Sequence, residues 1–136
     1  MDLNTRIIQA KEFLIASPEG KFDFENAMKL LLKLARENAE AGQFDILLDI
    51  RGAAFDSLLF SDITGLVQVM IDNRDSFRSK LAILTSLGCE QFDKVKFLVL
   101  YAGSRGFHVG AFVEYEEALY WLVASVETPE DERRQN

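Results

Sequence analysis

The sequence predicts one α/β domain with a mostly parallel sheet of four to five strands and about four helices. Short β-branched and apolar runs alternate with segments whose apolar residues recur at i, i+3, i+4 and i+7. Such alternation is typical of a parallel sheet covered by crossover helices. The chain has 136 residues, 49% of them hydrophobic, which suits a single sizeable core. We expect the domain to span residues 1–127 and the polar end, 128–136, to fray.

The first elements are one or two strands followed by a helix. The segment Thr5–Ser17 is rich in β-branched and aromatic residues, and residues 18–20 (Pro-Glu-Gly) predict a turn after it. Asp23 stands where a helix N-cap is expected, and Gly42 is placed to end that helix. The apolar face of the predicted helix consists of Phe24, Ala27, Met28, Leu31, Leu34 and Ala35.

The segment Phe44–Ile50 is a nearly continuous apolar run, which predicts a strand buried on both faces. Residues 51–60 then form a loop to a second helix, for which Ser61 or Asp62 is the predicted N-cap. The apolar face of this helix consists of Ile63, Leu66, Val67 and Met70.

A second buried strand is predicted at Leu81–Leu84, a further strand at Phe107–Val113, and a last helix at Tyr115–Leu122. Between the two strands, Gly88 opens a third helix, and Gly103 or Gly106 closes it. The predicted apolar stripe of the third helix is Phe92, Val95, Val99 and Ala102. The predicted core strand residues are Ile46, Leu47, Leu48, Leu81, Ile83 and Val109.

The overall charge bounds the class of partner. The chain has 15 Lys and Arg against 22 Asp and Glu, a formal net charge of −7, without a basic patch. An acidic surface repels phosphate backbones and anionic lipids, so nucleic-acid binding is disfavoured. The start has no signal-peptide pattern, and no apolar stretch approaches the length of a membrane span. A lone cysteine, Cys89, excludes an intramolecular disulfide, and we expect a cytoplasmic protein.

The sequence offers little for catalysis or for metal binding. Its one histidine, His108, and Cys89 are nineteen positions apart, which is not a zinc-ligand spacing. A serine triad would need His108, which falls in a predicted strand, and Cys89 suits a small apolar helix-start position. The Gly-rich segment 103–110 follows a helix, opens a strand and lacks a lysine, unlike a phosphate-binding loop. We therefore expect no enzyme activity, no cofactor and no metal ion.

Three stretches together resemble a known family. They are residues 46–52 (ILLDIRG), 80–84 (KLAIL) and 112–122 (FVEYEEALYWL), the last of which is similar to the closing phrase F-x-x-x-x-E-A-x-x-W-L. With the order of elements, they resemble the SpoIIAA-like branch of the STAS superfamily, the anti-sigma-factor antagonists, over residues 4–124. In the closing phrase, Ala118, Trp121 and Leu122 share one helical face, which predicts that Trp121 anchors the core.

The resemblance also implies a regulatory site, from which this chain departs. In anti-sigma-factor antagonists a serine after an Asp, in a D-S-S-G-L-like helix start, is phosphorylated to break partner binding. The matching stretch is residues 62–66 (DITGL), where Ile63 stands at the acceptor position and has no hydroxyl. The hydroxyls of Ser61 and Thr64 suit helix capping and first-turn hydrogen bonds. We therefore expect no phosphorylation switch of this kind.

The loop at residues 53–60 is unusually apolar for a strand-to-helix connection, and the third helix is apolar nearly all round. The loop either caps the core or forms a binding or dimer surface at the carboxyl edge of the sheet, and these alternatives have equal weight. On the third helix, Phe97, Leu98, Leu100 and Tyr101 lie off the predicted stripe. The candidate partner or ligand surface consists of Phe55, Leu58, Leu59, Phe60, Asp62, Thr64, Leu98 and Tyr101.

Two functions follow as hypotheses. The first is a non-enzymatic regulatory or protein-interaction module, which we expect to form a homodimer through one of these apolar segments. The alternative is a protein that binds a small apolar ligand, a lipid or an isoprenoid, in a pocket under residues 55–60. A closed cavity of several hundred Å³ would favour the ligand, and a flat apolar patch would favour a protein partner.

Overall fold

The computed structural model describes residues 4–10, 13–41, 44–54, 58–86 and 90–124. Their strands are β1 (Asn4–Ala10), β2 (Phe13–Lys21), β3 (Asp45–Asp49), β4 (Ala53–Ala54), β5 (Lys80–Leu84) and β6 (His108–Phe112). Their helices are α1 (Phe24–Ala41), α2 (Phe60–Asp72), α3 (Glu90–Ser104) and α4 (Tyr115–Val123), with a short 3₁₀ turn over Arg74–Phe77. None of these helices is both long enough and apolar enough to cross a bilayer. The predicted tail, 128–136, lies outside the described residues.

The predicted α/β class and the mostly parallel sheet are confirmed. The main sheet has the order β1-β2-β3-β5-β6, so that β1 and β6 lie at its two edges. Strands β2, β3, β5 and β6 run parallel to one another, and β1 is antiparallel to β2. The two-residue β4 lies in the predicted loop and pairs with β2 after β3 has ended. Strand β4 was not predicted from the sequence, because two alanines are too few to show the alternating pattern of a strand.

The sheet buries both of its faces, as the continuous apolar run of β3 predicted. On one face, Leu48 and Ile83 belong to the large core that α1, α2 and α3 cover. On the other, Leu47 and Leu84 belong to a smaller core under α4, together with Ala118. Five of the predicted core strand residues are buried, namely Ile46, Leu47, Leu48, Leu81 and Ile83. The sixth, Val109, is half-buried, because β6 is an edge strand.

The turn predicted at residues 18–20 is wrong, because β2 continues through them to Lys21. Pro18 pairs with Thr5 of β1, and the amides of Gly20 and Phe22 donate toward β4 and its flanks. Backbone N–H groups alternate from side to side along a strand, so an N–H at position 18 would point to the same side as those of Gly20 and Phe22. Pro18 has no N–H to donate there. On that side β3 pairs only with residues 13–16 and β4 only from Gly20 onward, so no ladder bond is lost at the proline.

Two predicted helix ends are confirmed by their hydrogen bonds. The Asp23 Oδ1 accepts from the Asn26 amide at 2.9 Å, which is N-cap geometry. At the end of α3, Gly106 has a φ of 96°, and the Phe107 amide donates back to the Ala102 carbonyl at 3.2 Å. This six-to-one bond and the left-handed glycine form a Schellman motif. Gly42 and Gly88, the other predicted end residues, lie outside the described part of the chain.

The buried stripe of α3 is rotated from the predicted one. Val95 and Ala102 are buried as expected, but Phe92 and Val99 are only half-buried. The helix turns Gln91, Lys94 and Leu98 inward in their place, with Gln91 and Lys94 9% and 2% exposed. A search for regularly spaced apolar residues misses this buried stripe, because two of its members, Gln91 and Lys94, are polar. Leu98, which the sequence predicts to lie off the stripe, is half-buried and lines the core cavity.

Candidate functional site

The loops at the carboxyl edge of the sheet are tied together by backbone hydrogen bonds. The Ile50 amide donates to the Leu84 carbonyl at 2.9 Å, and the Thr85 amide donates to the Phe112 carbonyl at 2.8 Å. The ends of β3, β5 and β6 therefore meet in one place, as parallel strands require. Because α2, α3 and α4 follow these strands, their amino-terminal turns surround this edge.

A buried polar pair holds two of these loops together. The Thr85 hydroxyl donates to the Gln91 Oε1, and the Ser86 amide donates to the same oxygen at 3.1 Å. The Gln91 Nε2 reaches the carbonyls of Ile50 and Ala53, at 3.5 and 3.4 Å. Gln91 thus joins the β5–α3 loop to the corner between β3 and β4. Gln91 is not among the sequence-predicted site residues, because nothing in its local sequence distinguishes it from a solvent-exposed glutamine.

An ion pair lies beside this corner. The carboxylate of Asp49 accepts from the Arg51 guanidinium at 3.0 and 2.9 Å, and from the Arg51 amide at 3.1 Å. Burial raises the pKa of Asp49, but the hydrogen bonds from Arg51 outweigh it, so that the pKa lies below its usual value. The same bonds raise the pKa of Arg51, to which the charge of Glu114 also contributes. The pair therefore places two charged groups beside the corner, where the charge of Glu114, just before α4, acts on Arg51.

The helix α2 starts two or three residues earlier than predicted, because its N-cap is Leu59 rather than Ser61 or Asp62. Asp62 lies in the first turn instead, where its Oδ2 accepts from the Leu59 amide at 2.9 Å. The Thr64 hydroxyl donates to the Ser61 carbonyl at 2.9 Å, which is a first-turn hydrogen bond of the kind predicted for it. Ile63 is 3% exposed and belongs to the large core.

Exposed and half-buried apolar residues at the start of α2 and on α3 form a surface that we call the aromatic strip. The Phe60 ring meets the Phe97 ring edge-on at 5.9 Å, and Phe97 stacks on Tyr101 at 6.1 Å. Leu59 is 60% exposed and Leu100 is 72% exposed. On α3, Phe97, Leu100 and Tyr101 are spaced i, i+3 and i+4, so they share one face of the helix. The aromatic strip consists of Leu59, Phe60, Phe97, Leu100 and Tyr101.

The structure divides the predicted candidate surface. It brings Leu59, Phe60 and Tyr101 into the aromatic strip, and it places Thr64 one turn after Phe60 on α2. Leu58, at 1% exposed, and Leu98 instead line a cavity in the large core. Phe55 lies outside the described residues.

The core cavity lies between the sheet and the helices α1, α2 and α3. Its volume is about 40 Å³, and Lys94 is the one polar residue among its described lining residues. A water occupies about 30 Å³ of liquid volume, whereas drug-sized ligands need about 300 Å³ or more. The cavity is therefore far smaller than the pocket of several hundred Å³ that the ligand hypothesis requires.

The remaining candidate chemical groups are dispersed. Among the described residues, no three His, Cys, Asp or Glu side chains lie close enough to hold a metal ion. His108 is exposed on β6, and Cys89 lies outside the described residues.

Comparison with solved structures shows the fold. An uncharacterised DUF3478-family protein from Shewanella loihica PV-4, described as having a SpoIIAA-like fold, superposes with a TM-score of 0.59 at 18% identity. An anti-sigma factor antagonist from Mycobacterium paratuberculosis superposes with a TM-score of 0.56 at 12% identity. Each superposition covers 89% of this chain and 94% of the other. No family model and no curated protein matches the sequence.

Proposed function

We propose that this chain, with its SpoIIAA-like fold, is a non-enzymatic protein-interaction module of the STAS type, located in the cytoplasm. The aromatic strip is the surface through which it binds. One observation carries the proposal: Leu59, Phe60 and Leu100 are exposed, and the Phe60 ring packs on a row formed by the half-buried rings of Phe97 and Tyr101. A solved structure with this fold is an anti-sigma factor antagonist, which supports the class.

The shape of the strip favours a protein partner over a small apolar ligand. It is an outer surface built on two adjacent helices, whereas the cavity beneath it measures about 40 Å³. An exposed leucine or phenylalanine forgoes about 1.5–3 kcal/mol of transfer free energy, so several together favour a macromolecular cover. A second copy of the chain is the first partner that we propose, because two-fold pairing is the commonest way to cover such a patch.

The proposed module works without the serine switch of the anti-sigma-factor antagonists. Ile63, which stands at the acceptor position, is buried and has no hydroxyl. The neighbouring Thr64 hydroxyl donates within the first turn of α2. Both observations support binding that is not regulated at this helix start.

Sedimentation of the full chain at micromolar concentration tests the proposal. We expect a dimer, and we expect Leu59→Glu and Leu100→Glu each to shift it toward a folded 15.4 kDa monomer. Both residues are exposed, so neither substitution disturbs the core, unlike a change at Leu98. The matched control is Leu32→Glu, at a leucine on α1 that is 39% exposed, which should remain dimeric.

Two results would contradict self-association through the aromatic strip. A wild-type chain that sediments only as a monomer would exclude self-association. A dimer that survives both strip variants, with circular dichroism showing them folded, would place the interface elsewhere.

A further inference from the structure

Strand β6 presents an open edge to its surroundings. It is the last strand of the main sheet, and the only strand paired with it among the described residues is β5. The Phe112 carbonyl accepts from Thr85 on the β5 side. The N–H and C=O of one strand residue point to the same side and alternate along the strand, so those of Val109 and Ala111 point outward. The edge therefore offers two donors and two acceptors to an added strand.

The helix α4 packs on β5 and on its neighbours β3 and β6. Its residues Ala118 and Leu122 are buried against the sheet. Glu117, Tyr120, Trp121 and Ala124 are spaced i, i+3, i+4 and i+7, and they form the neighbouring face of the helix. Together with Phe112 and Glu116, this face lines an open groove of about 520 Å³.

Gly110 shapes the floor of the groove. The Phe112 and Trp121 rings pack at 5.4 Å, tilted by 46°, above β6. A Cβ at Gly110 would lie 2.9 Å from the Phe112 ring and 3.4 Å from the Trp121 ring. Only a residue without a side chain allows both rings to lie this close to the strand. The two aromatic rings therefore lie directly against the backbone of the edge strand β6.

The charge of the groove is negative. Glu116 and Glu117 are exposed and belong to the groove, and Tyr120 is 76% exposed. The nearby cation, Lys80, donates to the carbonyls of Trp121 and Ala124 at 2.8 and 2.9 Å, so it caps the end of α4. It also lies 5.3 Å from the centre of the Trp121 ring. The two groove carboxylates have no ion pair with it.

We propose that the β6 edge and this groove bind an extended, basic segment of a partner protein. The main chain of the segment pairs with Val109 and Ala111 as an added strand. An arginine or lysine side chain of the segment lies with its stem against Phe112 and Trp121, and its charged head meets Glu116 and Glu117. Aromatic faces and carboxylates together select a cation with a long apolar stem, and the net charge of −7 favours the same partner.

The test uses a fluorescein-labelled peptide of alternating valine and arginine, titrated with the full chain at physiological salt and followed by anisotropy. We expect saturable binding that Glu117→Gln weakens about fivefold, the scale of one exposed charge pair. The matched control is Glu37→Gln, which makes the same charge change at an exposed residue of α1 and should leave the affinity unchanged. A peptide of alternating valine and glutamate should not bind.

The strand pairing is tested separately on the edge. Ala111→Pro removes an outward N–H and no bond to β5, so we expect it to abolish binding in a folded protein. If this variant does not fold, a peptide N-methylated along one edge replaces it and should fail to bind the wild type.

The proposal is overturned by undetectable binding at about 1 mM protein, by equal binding of the glutamate peptide, or by equal losses in Glu117→Gln and Glu37→Gln. Binding that survives N-methylation also overturns it, since the edge would then be unused. An Ala111→Pro variant that turns a dimer into a monomer would show that the edge pairs with a second copy instead. The peptide-binding outcomes do not depend on the aromatic strip.

Discussion

Arg51 keeps Asp49 ionised although the carboxyl is partly buried at the end of β3. Burial alone raises the pKa of Asp49, whereas three hydrogen bonds from Arg51 lower it further than burial raises it. The pair therefore stabilises the corner only while the carboxyl is charged.

This coupling predicts a dependence of stability on pH. A carboxyl whose folded pKa is depressed contributes stability that is complete above its unfolded pKa, about 3.8, and is lost as the pH falls through the lower folded pKa. In urea titrations from pH 7 to pH 3, we expect Asp49→Asn to lose stability at neutral pH and to show a smaller acid-induced loss than the wild type. The control is Asp93→Asn, at an exposed residue of α3, which should keep the wild-type dependence of stability on pH. Identical profiles for Asp49→Asn and the wild type would contradict the coupling.

Leu48 is the residue at which the core is most directly tested. It is 6% exposed and lines the core cavity, so that truncation would enlarge an existing void. We expect Leu48→Ala to lower the free energy of unfolding by about 2–5 kcal/mol in denaturant melts. Leu100→Ala, at a leucine that is 72% exposed, should cost less than about 0.5 kcal/mol. A loss below about 1 kcal/mol for Leu48→Ala would be inconsistent with its burial.

At the scale of elements, α3 has two glycines with opposite roles at its end. Gly106 has a φ of 96° and ends the helix, whereas Gly103 lies within the helix, and a Cβ there would meet nothing within 4 Å. The left-handed conformation at Gly106 disfavours any side chain, and the helical conformation at Gly103 favours one.

These roles predict substitutions of opposite sign. We expect Gly106→Ala to lower the free energy of unfolding by about 1 kcal/mol and Gly103→Ala to raise it by about 0.5 kcal/mol. Thermal and urea unfolding of the two variants, measured together, check the difference. Equal effects at both positions would mean that the Schellman motif does not control the end of α3.

At the scale of the whole molecule, the sheet separates two surfaces. The aromatic strip lies on the helices that cover the large core, and the α4 groove lies on the helix that covers the small one. Substitutions in one surface therefore leave the other unchanged, and the two proposals can fail independently.

The proposed lack of a serine switch concerns how the whole molecule would be controlled. We expect no kinase of the anti-sigma type to phosphorylate residues 62–66, since Ile63 is buried and carries no hydroxyl. Intact-mass measurement of protein from cells, before and after phosphatase treatment, checks this. A phosphate on Ser61 or Thr64 under any physiological condition would contradict the expectation.

Apart from β4, the sequence by itself determined the alternation of strands and helices from α1 onward, the doubly buried strands and two of the helix ends. These features depend on local periodicity and on backbone geometry, as at Asp23, whose side chain caps its own helix, and at Gly106, which needs no distant partner. The SpoIIAA-like fold is instead what the resemblance of three short stretches, together with the element order, implies.

Only the tertiary structure decided which residues meet across the sheet. The strand through Pro18 depends on β1 and β4, and the inward position of Gln91 depends on the carbonyls of Ile50 and Ala53, far away in the sequence. The same holds for the aromatic strip, since Phe60 and Phe97 belong to different helices and become neighbours only when α2 and α3 pack together. Periodicity records which side of an element is apolar, whereas a surface is created by the contacts between elements.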